Sequence, residues 1–295
     1  MSQARVTVYA DGTAAVRSAA TDLGTGTYTV ITQLAADLLG LHPQQVDFQL
    51  GDSDLPASAQ SGGSGLASSV SNAVIDAVAH LQGALLDLAG PDSPLHGQRP
   101  EDVMCRDGAL CRRDDPSVRV PIADLLAGQN LVEASGDGRV RPPDPEAAAM
   151  AQAGAYGARF VEVAIDPMIG RLRVRRVVSV TDGGRILNQK LARSQIIGAT
   201  VGGIGQALFE DTLTDPGTGR VANGTFGDYL VAVNADVPDV EVVFVGEPDR
   251  YTPAGTKGIG EIGLVGVAAA IGNAVHHATG RRLRDLPITI DQLMM

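Results

Sequence analysis

Residues 158–180 read ARFVEVAIDPMIGRLRVRRVVSV, two alternating apolar and polar runs joined by a turn that contains Pro and Gly. Two adjacent alternating runs of this kind predict a β-hairpin. Downstream, the apolar spacing predicts a helix over 189–210 that its glycines weaken, then a strand over 240–247 and a helix over 263–279. The predicted order is hairpin, helix, strand, helix.

The first half of the chain repeats this order. A hairpin around Asp11 and Gly12 is followed by a helix within 24–41, a strand over 46–52 and a helix whose apolar positions run from residue 70 to 88. Two copies of one order indicate a structural duplication. We therefore predict an α+β fold of two duplicated hairpin-helix-strand-helix units, each a two-layer α/β arrangement.

The segment between the two copies is rich in Pro, Asp, Gly and Ala. Its last part, RPPDPEAAAMAQAG at 141–154, has the composition of a linker. We place the first unit at 1–140, the linker at 141–155 and the second unit at 156–295.

Composition excludes several classes of protein. The 295 residues are 44% hydrophobic, which is enough for a sizeable core. The net charge of -11 and the absence of basic clusters argue against nucleic acid or an anionic membrane as a partner. No apolar run approaches the roughly 20 residues of a membrane span, and no signal peptide precedes the first strand. We expect a cytoplasmic location, or a periplasmic one if a partner subunit carries an export signal.

The two cysteines do not predict a metal site. Cys105 and Cys111 flank a predicted hairpin turn at Asp107 and Gly108, and no second Cys or His pair accompanies them at ligand spacing. No nucleophilic Ser or Cys with a His and Asp partner can be identified either. We expect no metal held directly by side chains and no hydrolase triad.

Three glycine-rich loops lie at or near predicted helix starts, at 24–27, 61–65 and 255–260. Glycine allows a ligand to approach the backbone, and the free N–H groups of a helix start attract anions such as phosphate. None of the three is a complete dinucleotide-binding or P-loop fingerprint, and tight-turn packing explains any one of them. Three at equivalent places in a duplicated unit favour a shared ligand.

Glu261 is the acidic residue within the third loop, GTKGIGEIG at 255–263. Between glycines and an apolar helix the carboxylate would be partly desolvated, which suits a general base, whereas nearby Lys257 would oppose that effect. Residue types and spacing alone favour a structural explanation, because glycine-rich strand-to-helix turns are common and an acidic residue in a first helical turn is favoured by the macrodipole.

Long, ordered motifs then identify a family. They comprise the segments 20–41, 50–69, 157–210, 226–244 and 255–289. Over nearly its whole length the chain resembles the C-terminal half of the molybdopterin-binding (large) subunit of the xanthine dehydrogenase/aldehyde oxidase family.

The resemblance implies a molybdenum hydroxylase that oxidises an aldehyde or an N-heterocycle with oxygen derived from water. The implied cofactor is molybdenum-molybdopterin or its cytidine dinucleotide form, with the metal held by the pterin rather than by side chains. Glu261 would be the base that activates the water-derived oxygen. The implied cofactor-binding residues are Gly24, Thr25, Gly26, Thr27, Gly62, Gly63, Ser64, Lys257, Gly258 and Gly260.

The chain also departs from the family pattern. Family large subunits are about twice this length or more, and the G-G-x-F-G loop of their first half is missing here. Gly202 stands where many members have Gln or a larger residue, whereas Thr25 is a form frequent in aldehyde-oxidising members. The resemblance therefore implies a complementing N-terminal half, an iron-sulfur subunit and an FAD subunit as partners. The alternative is a truncated, non-catalytic remnant or interaction module. A plain nucleotide-binding protein would need phosphate fingerprints that the sequence lacks.

Overall fold

A computed structural model describes residues 2–140 and 154–294 of the chain. These residues form two compact units, which are Met1–Ala153 with Pro248–Lys257, and Gly154–Glu247 with Gly258–Met295. We call them unit 1 and unit 2. Pro248–Lys257 thus belongs to unit 1, although the sequence boundaries assigned it to the second unit. Residues 141–153, most of the predicted linker, lie outside the described residues.

Unit 1 contains the predicted hairpin-helix-strand-helix order. Its first elements are β1 (Gln3–Tyr9), β2 (Ala14–Arg17), α1 (Thr27–Leu39), β3 (Val46–Gln49) and α2 (Leu66–Asp87). They are followed by β4 (Val103–Arg106), β5 (Ala109–Arg112), β6 (Arg119–Pro121), α3 (Ile122–Ala127) and β7 (Glu133–Arg139). The main sheet has the order β3-β2-β1-β7, and β4, β5 and β6 form a second, antiparallel sheet. Within the main sheet β2 runs antiparallel to β1 and parallel to β3.

The core of unit 1 lies between the main sheet and its two long helices. Helix α2 packs on β1 and β7, and α1 packs on β3 and on α2. Ile31 and Leu39 of α1 and Leu81 and Leu85 of α2 are almost completely buried. Each such side chain contributes about 1.5–3 kcal/mol of hydrophobic stabilisation, so the apolar stripes that predicted these helices also attach them to the sheet.

Two glycines allow β7 to lie directly against the backbone of α2. A Cβ added at Gly136 would be 2.2 Å from the carbonyl oxygen of Ala77, and one added at Gly138 would be 2.2 Å from the carbonyl oxygen of Ala73. Neither backbone atom can move without distorting the helix. The strand therefore requires glycine at both positions to reach this depth.

Unit 2 repeats the topology of unit 1. Its elements are β8 (Tyr156–Asp166), β9 (Arg171–Asp182), α4 (Gln189–Leu208), β10 (Asp239–Val245), α5 (Val267–Thr279) and the short α6 (Ile290–Leu293). The sheet order is β10-β9-β8, with β9 antiparallel to β8 and parallel to β10. The hairpin predicted at 158–180 and the duplicated α+β fold are confirmed.

Helix α5 begins later than the sequence predicted. Its first residue is Val267, and Gly266 before it has a left-handed backbone with φ of +85°. Residues 260–266 form turns instead of the first helical turn expected from residue 263. The predicted start at 263 was therefore wrong, because a residue with a left-handed backbone cannot lie inside a right-handed helix, so the helix cannot extend back through Gly266.

Helix α4 forms as predicted in spite of its glycines. A Cβ added at Gly203 would lie only 2.5 Å from Cβ of Val267, so this glycine lets α4 and α5 cross closely. The buried residues Ile204, Ile271 and Val275 belong to the core that the two helices share with β9. Among the described residues, no helix is long and apolar enough to cross a membrane.

Candidate functional site

The loop in front of α1 is organised by an internal carboxylate. Oδ1 of Asp22 accepts hydrogen bonds from the backbone N–H groups of Gly24 (2.9 Å) and Gly26 (3.2 Å), and Oδ2 accepts one from Tyr28 (3.2 Å). Gly24 and Gly26 have φ of +94° and +84°, a conformation that glycine adopts without strain. Asp22 therefore sits at the helix start where the sequence led us to expect a bound anion.

The pKa of Asp22 also indicates that its carboxylate is ionised and bound by the loop. Burial opposes ionisation, but the hydrogen bonds from Tyr28, Gly24, Gly26 and Thr27 outweigh it and hold the pKa of Asp22 below its usual range. The N–H groups of the Gly24–Gly26 loop were expected to be free for a ligand, and for Gly24 and Gly26 this expectation was wrong. The carboxylate fixes the loop shape and offsets the positive potential of the helix start.

The second glycine loop, at 61–65, lies beside the first. Ser61 forms a hydrogen bond between its hydroxyl and that of Thr21, the residue before Asp22. Gly63 and Ser64 have φ of +60° and +57°, and α2 begins directly after the loop. A Cβ added at Gly24 or at Gly63 would meet no atom within 4 Å. Two of the three predicted cofactor loops are thus tied together in unit 1, each with open space beside a glycine.

The third loop begins in unit 1 and ends in unit 2. Its first part is held on α2, because Oδ1 of Asn72 accepts a hydrogen bond of 2.9 Å from the backbone N–H of Ala254. Thr256 is buried, and its hydroxyl has no hydrogen-bond partner among the described residues. A buried hydroxyl without a partner is costly in a folded protein, and a bound ligand is one explanation. Lys257 follows in unit 1, whereas Gly258 and Gly260 belong to unit 2.

Glu261 lies in the turns before α5 and is exposed. Its carbonyl oxygen accepts a hydrogen bond of 3.1 Å from the N–H of Leu264. We expected glycines and an apolar helix to desolvate the Glu261 carboxylate. In this structure they do not, because α5 starts six residues after Glu261 and leaves the residue exposed. A Cβ added at Gly202 would lie 3.5 Å from Cδ1 of Leu264, so a larger residue at 202 would contact this turn.

The described residues contain no group of three or more His, Cys, Asp or Glu side chains that could hold a metal ion. Cys105 and Cys111 occupy neighbouring strands β4 and β5, and both are buried free thiols. Burial raises the pKa of Cys105 to about 12, so this thiol is protonated and a poor metal ligand at neutral pH.

Sequence reasoning missed several residues that shape the loops. Asp22 could have been found, because Asp placed two residues before a glycine at a helix start is a pattern typical of side-chain capping of backbone N–H groups. Asn72 carries no such local signal, and neither does the contact that links Ser61, a residue of the predicted loop 61–65, to Thr21. Their partners lie far along the chain and are brought to them only by folding.

Comparison with known families decides the relationship. The profile described as "Molybdopterin cofactor-binding domain" matches residues 1–238. The chain belongs to this family. Its membership confirms the fold, the molybdopterin cofactor and the relationship to xanthine dehydrogenases and aldehyde oxidases that the sequence motifs predicted.

Curated relatives within this group are molybdenum-binding subunits. The chain is 39% identical to the aldehyde oxidoreductase molybdenum-binding subunit PaoC of Escherichia coli K12, over 99% of this chain and 38% of that protein. It is 31% identical to the putative xanthine dehydrogenase molybdenum-binding subunit XdhA of the same strain, over 98% of this chain and 38% of that protein. The chain thus spans less than half the length of these relatives.

Solved structures share the fold. The Cu,Mo-CO dehydrogenase matches with a TM-score of 0.84 at 19% identity, over 99% of this chain and 37% of that chain. Quinoline 2-oxidoreductase from Pseudomonas putida 86 matches with a TM-score of 0.82 at 24% identity, over 99% and 37%.

Proposed function

We propose that the chain is the cofactor-binding part of a molybdenum hydroxylase that oxidises an aldehyde or an N-heterocycle with oxygen derived from water. Support comes from the family membership and from the 39% identity to a subunit named for aldehyde oxidoreductase. That name, together with Thr25 in the first loop, favours an aldehyde over a heterocycle. The correspondence to the C-terminal half of the large subunit is part of the same proposal.

The observation that carries the proposal is the pair of joined glycine loops at the starts of α1 and α2. Their positive-φ backbone and the open space beside Gly24 and Gly63 suit a ligand that lies flat against main chain. The buried hydroxyl of Thr256, which has no hydrogen-bond partner among the described residues, lies in the same unit and would be a polar group for such a ligand. When bound, the molybdenum-pterin cofactor supplies the redox centre that takes up the two electrons of the oxidation.

The residues of this chain would then have two roles, which are cofactor binding and proton transfer. The cofactor would lie against the backbone of three short stretches, at 24–27, 62–64 and 257–260, although Asp22 already occupies the N–H groups of Gly24 and Gly26 in the first of them. The carboxylate of Glu261 would accept the proton from the water-derived oxygen as this oxygen attacks the substrate carbon. Because Glu261 is exposed in this chain, we assign the exclusion of water from it to the bound cofactor and substrate together with a complementing polypeptide.

Exposed apolar side chains support such a partner. In unit 2, Phe160, Phe226 and Leu230 are 62%, 89% and 63% exposed. Large apolar side chains with this exposure become buried when a partner covers them. We infer that a complementing N-terminal half covers some of these side chains, with iron-sulfur and FAD subunits completing electron transfer, in the cytoplasm or, if exported with a partner, in the periplasm.

The test is molybdenum and pterin-phosphate content of the chain, purified from a host that makes the cofactor, with and without a co-expressed complementing polypeptide. In the loaded assembly, Glu261→Gln should lower the turnover of an aldehyde about 10²-fold or more, the scale of a lost general base. Glu247→Gln is the matched control, since Glu247 is an exposed acid after β10. It should leave turnover unchanged, and both variants should keep their molybdenum.

Two results would reject the proposal. Absence of molybdenum under both conditions would support the alternative, a non-catalytic remnant or interaction module of the same fold. Full turnover in Glu261→Gln would remove Glu261 as the base, even if the cofactor is bound.

A further inference from the structure

Backbone hydrogen bonds close the turn that carries Glu261. Between Glu261 and the start of α5, the N–H of Leu264 donates to the carbonyl of Glu261 (3.1 Å), and the N–H of Val267 donates to the carbonyl of Leu264 (3.2 Å). A turn closed in this way on an exposed surface frays readily. A further contact to the peptide groups of this turn would help to hold Glu261 in one orientation.

Arg159, on β8, supplies that fixation. Its Nη2 donates to the carbonyl of Ile262 at 2.6 Å, and its Nε lies 3.4 Å from the carbonyl of Gly263. Its Nη1 donates to the carbonyls of Val180 (2.9 Å) and Ala158 (3.0 Å). One planar guanidinium thus ties the carbonyl groups of the two residues after Glu261 to the sheet of unit 2.

The arrangement around Arg159 is closely packed. The side chain is half-buried, and this burial lowers the pKa of Arg159, although a guanidinium stays charged throughout the neutral range. A buried charge is unfavourable unless hydrogen bonds compensate it, and here main-chain carbonyl oxygens do so. A Cβ added at Gly157 would lie 2.6 Å from Nη1 of Arg159, so the neighbouring glycine leaves space for the guanidinium.

On the side away from Arg159, the turn packs against helix α4. A Cβ added at Gly263 would be 2.8 Å from Cβ of Ala199 and 3.1 Å from Cα of Ile196, both on α4. Gly263 therefore lies against α4 while its carbonyl faces Arg159. The peptide groups after Glu261 are held between β8 and α4, whereas the side chain of Glu261 stays on the outside.

We propose that Arg159 is a positioning residue that sets the direction of the Glu261 carboxylate by fixing the carbonyls of Ile262 and Gly263. This proposal rests on the proposed function, in which Glu261 is the general base. A base displaced by about 1 Å loses roughly 10² in rate, so a clamp on the adjacent peptides matters for turnover as well as for stability.

The first experiment needs no cofactor. Hydrogen exchange of the Leu264 and Val267 amides is measured in the chain and in Arg159→Met, which removes all four donor contacts. Loss of hydrogen bonds to a charged group should speed exchange at both amides about tenfold or more. Arg173→Met is the control, since Arg173 is exposed on β9, and it should leave both rates unchanged. Rates in Arg159→Met within twofold of the parent would overturn the proposal.

Arg159→Lys is a second variant that distinguishes a local effect at the turn from general unfolding caused by Arg159→Met. Lys keeps the charge but cannot span two carbonyls with a planar fork, so exchange at Leu264 should still rise while the interior of α5 stays protected. Equal acceleration throughout α5 in both variants would show that Arg159 holds the whole unit together, and would overturn a specific role at the turn.

The second experiment uses the loaded assembly. Arg159→Met should lower kcat about 10²-fold with KM within twofold, and should cause no further loss in a Glu261→Gln background. An unchanged kcat, or an equal loss in both backgrounds, would overturn the positioning role. Full turnover in Glu261→Gln alone would instead reject the proposed function, and the exchange data distinguish the two failures.

Discussion

Replacing Asp22 by Asn tests whether an internal carboxylate holds the loop in front of α1. The substitution keeps the size of the side chain and removes its charge. Oδ1 can still accept from Gly24 and Gly26, but the amide nitrogen that replaces Oδ2 cannot accept from Tyr28. One hydrogen bond is lost, and two become bonds to a neutral acceptor.

The expected loss follows from these contacts. A hydrogen bond to a charged group contributes about 1.5–3 kcal/mol, and a neutral one about 0.5–1.5 kcal/mol. The three changes would add up to several kcal/mol in a dry interior. Because Asp22 is only half-buried, water replaces part of what is lost, and we expect a net loss of about 1–2 kcal/mol, the usual effect of removing a helix cap.

Hydrogen exchange at the Gly26 and Tyr28 amides is the direct assay, because it reports unit 1 without assuming a single unfolding transition. A loss of about 1.4 kcal/mol corresponds to tenfold faster exchange. Asp11→Asn is the matched control, since Asp11 accepts from Thr13 in an exposed hairpin turn that also suits Asn. Unchanged exchange in Asp22→Asn, or an equal effect in Asp11→Asn, would refute the reasoning.

Three further predictions follow from the same structure. Folding lowers the pKa of Asp22. The carboxylate therefore stabilises the fold above the unfolded pKa of about 4, and this stabilisation is lost as pH falls through the folded pKa. The difference in amide exchange between the parent and Asp22→Asn should therefore disappear in acid. Gly138→Ala should lower the free energy of unfolding by about 1–3 kcal/mol, because the added Cβ overlaps α2. Gly198→Ala should raise it by about 0.5–1 kcal/mol, because a Cβ added there meets no atom within 4 Å. Equal effects in thermal unfolding would contradict the assigned packing. Asn72→Ala should leave the N–H of Ala254 unpaired, which lowers the local free energy of unfolding by about 1–3 kcal/mol. Proteolysis near Ala254 should become faster. Unaltered cleavage would show that Asn72 does not hold that segment.

The candidate site was only partly predictable from sequence. The glycine loops before α1 and α2 were found, because glycine marks backbone that side chains cannot adopt. The carboxylate that fills the first loop was overlooked, although Asp22 is close in sequence. The exposure of Glu261 was missed for a different reason, since the apolar run after it gave no sign that Gly266 adopts a left-handed backbone and delays the helix.

The sequence by itself determined the strands and helices of the two repeats and their order, because alternation and helical spacing are local properties of the chain. Strand β7, which pairs with β1 in the main sheet of unit 1, was not predicted. The repeated order of hairpin, helix, strand and helix was enough to establish the duplicated fold. The tertiary structure alone decided which distant groups meet. It attached Pro248–Lys257 to unit 1 through Asn72 and brought Arg159 to the carbonyls after Glu261. Such contacts depend on the geometry of the whole unit, and no local pattern encodes them.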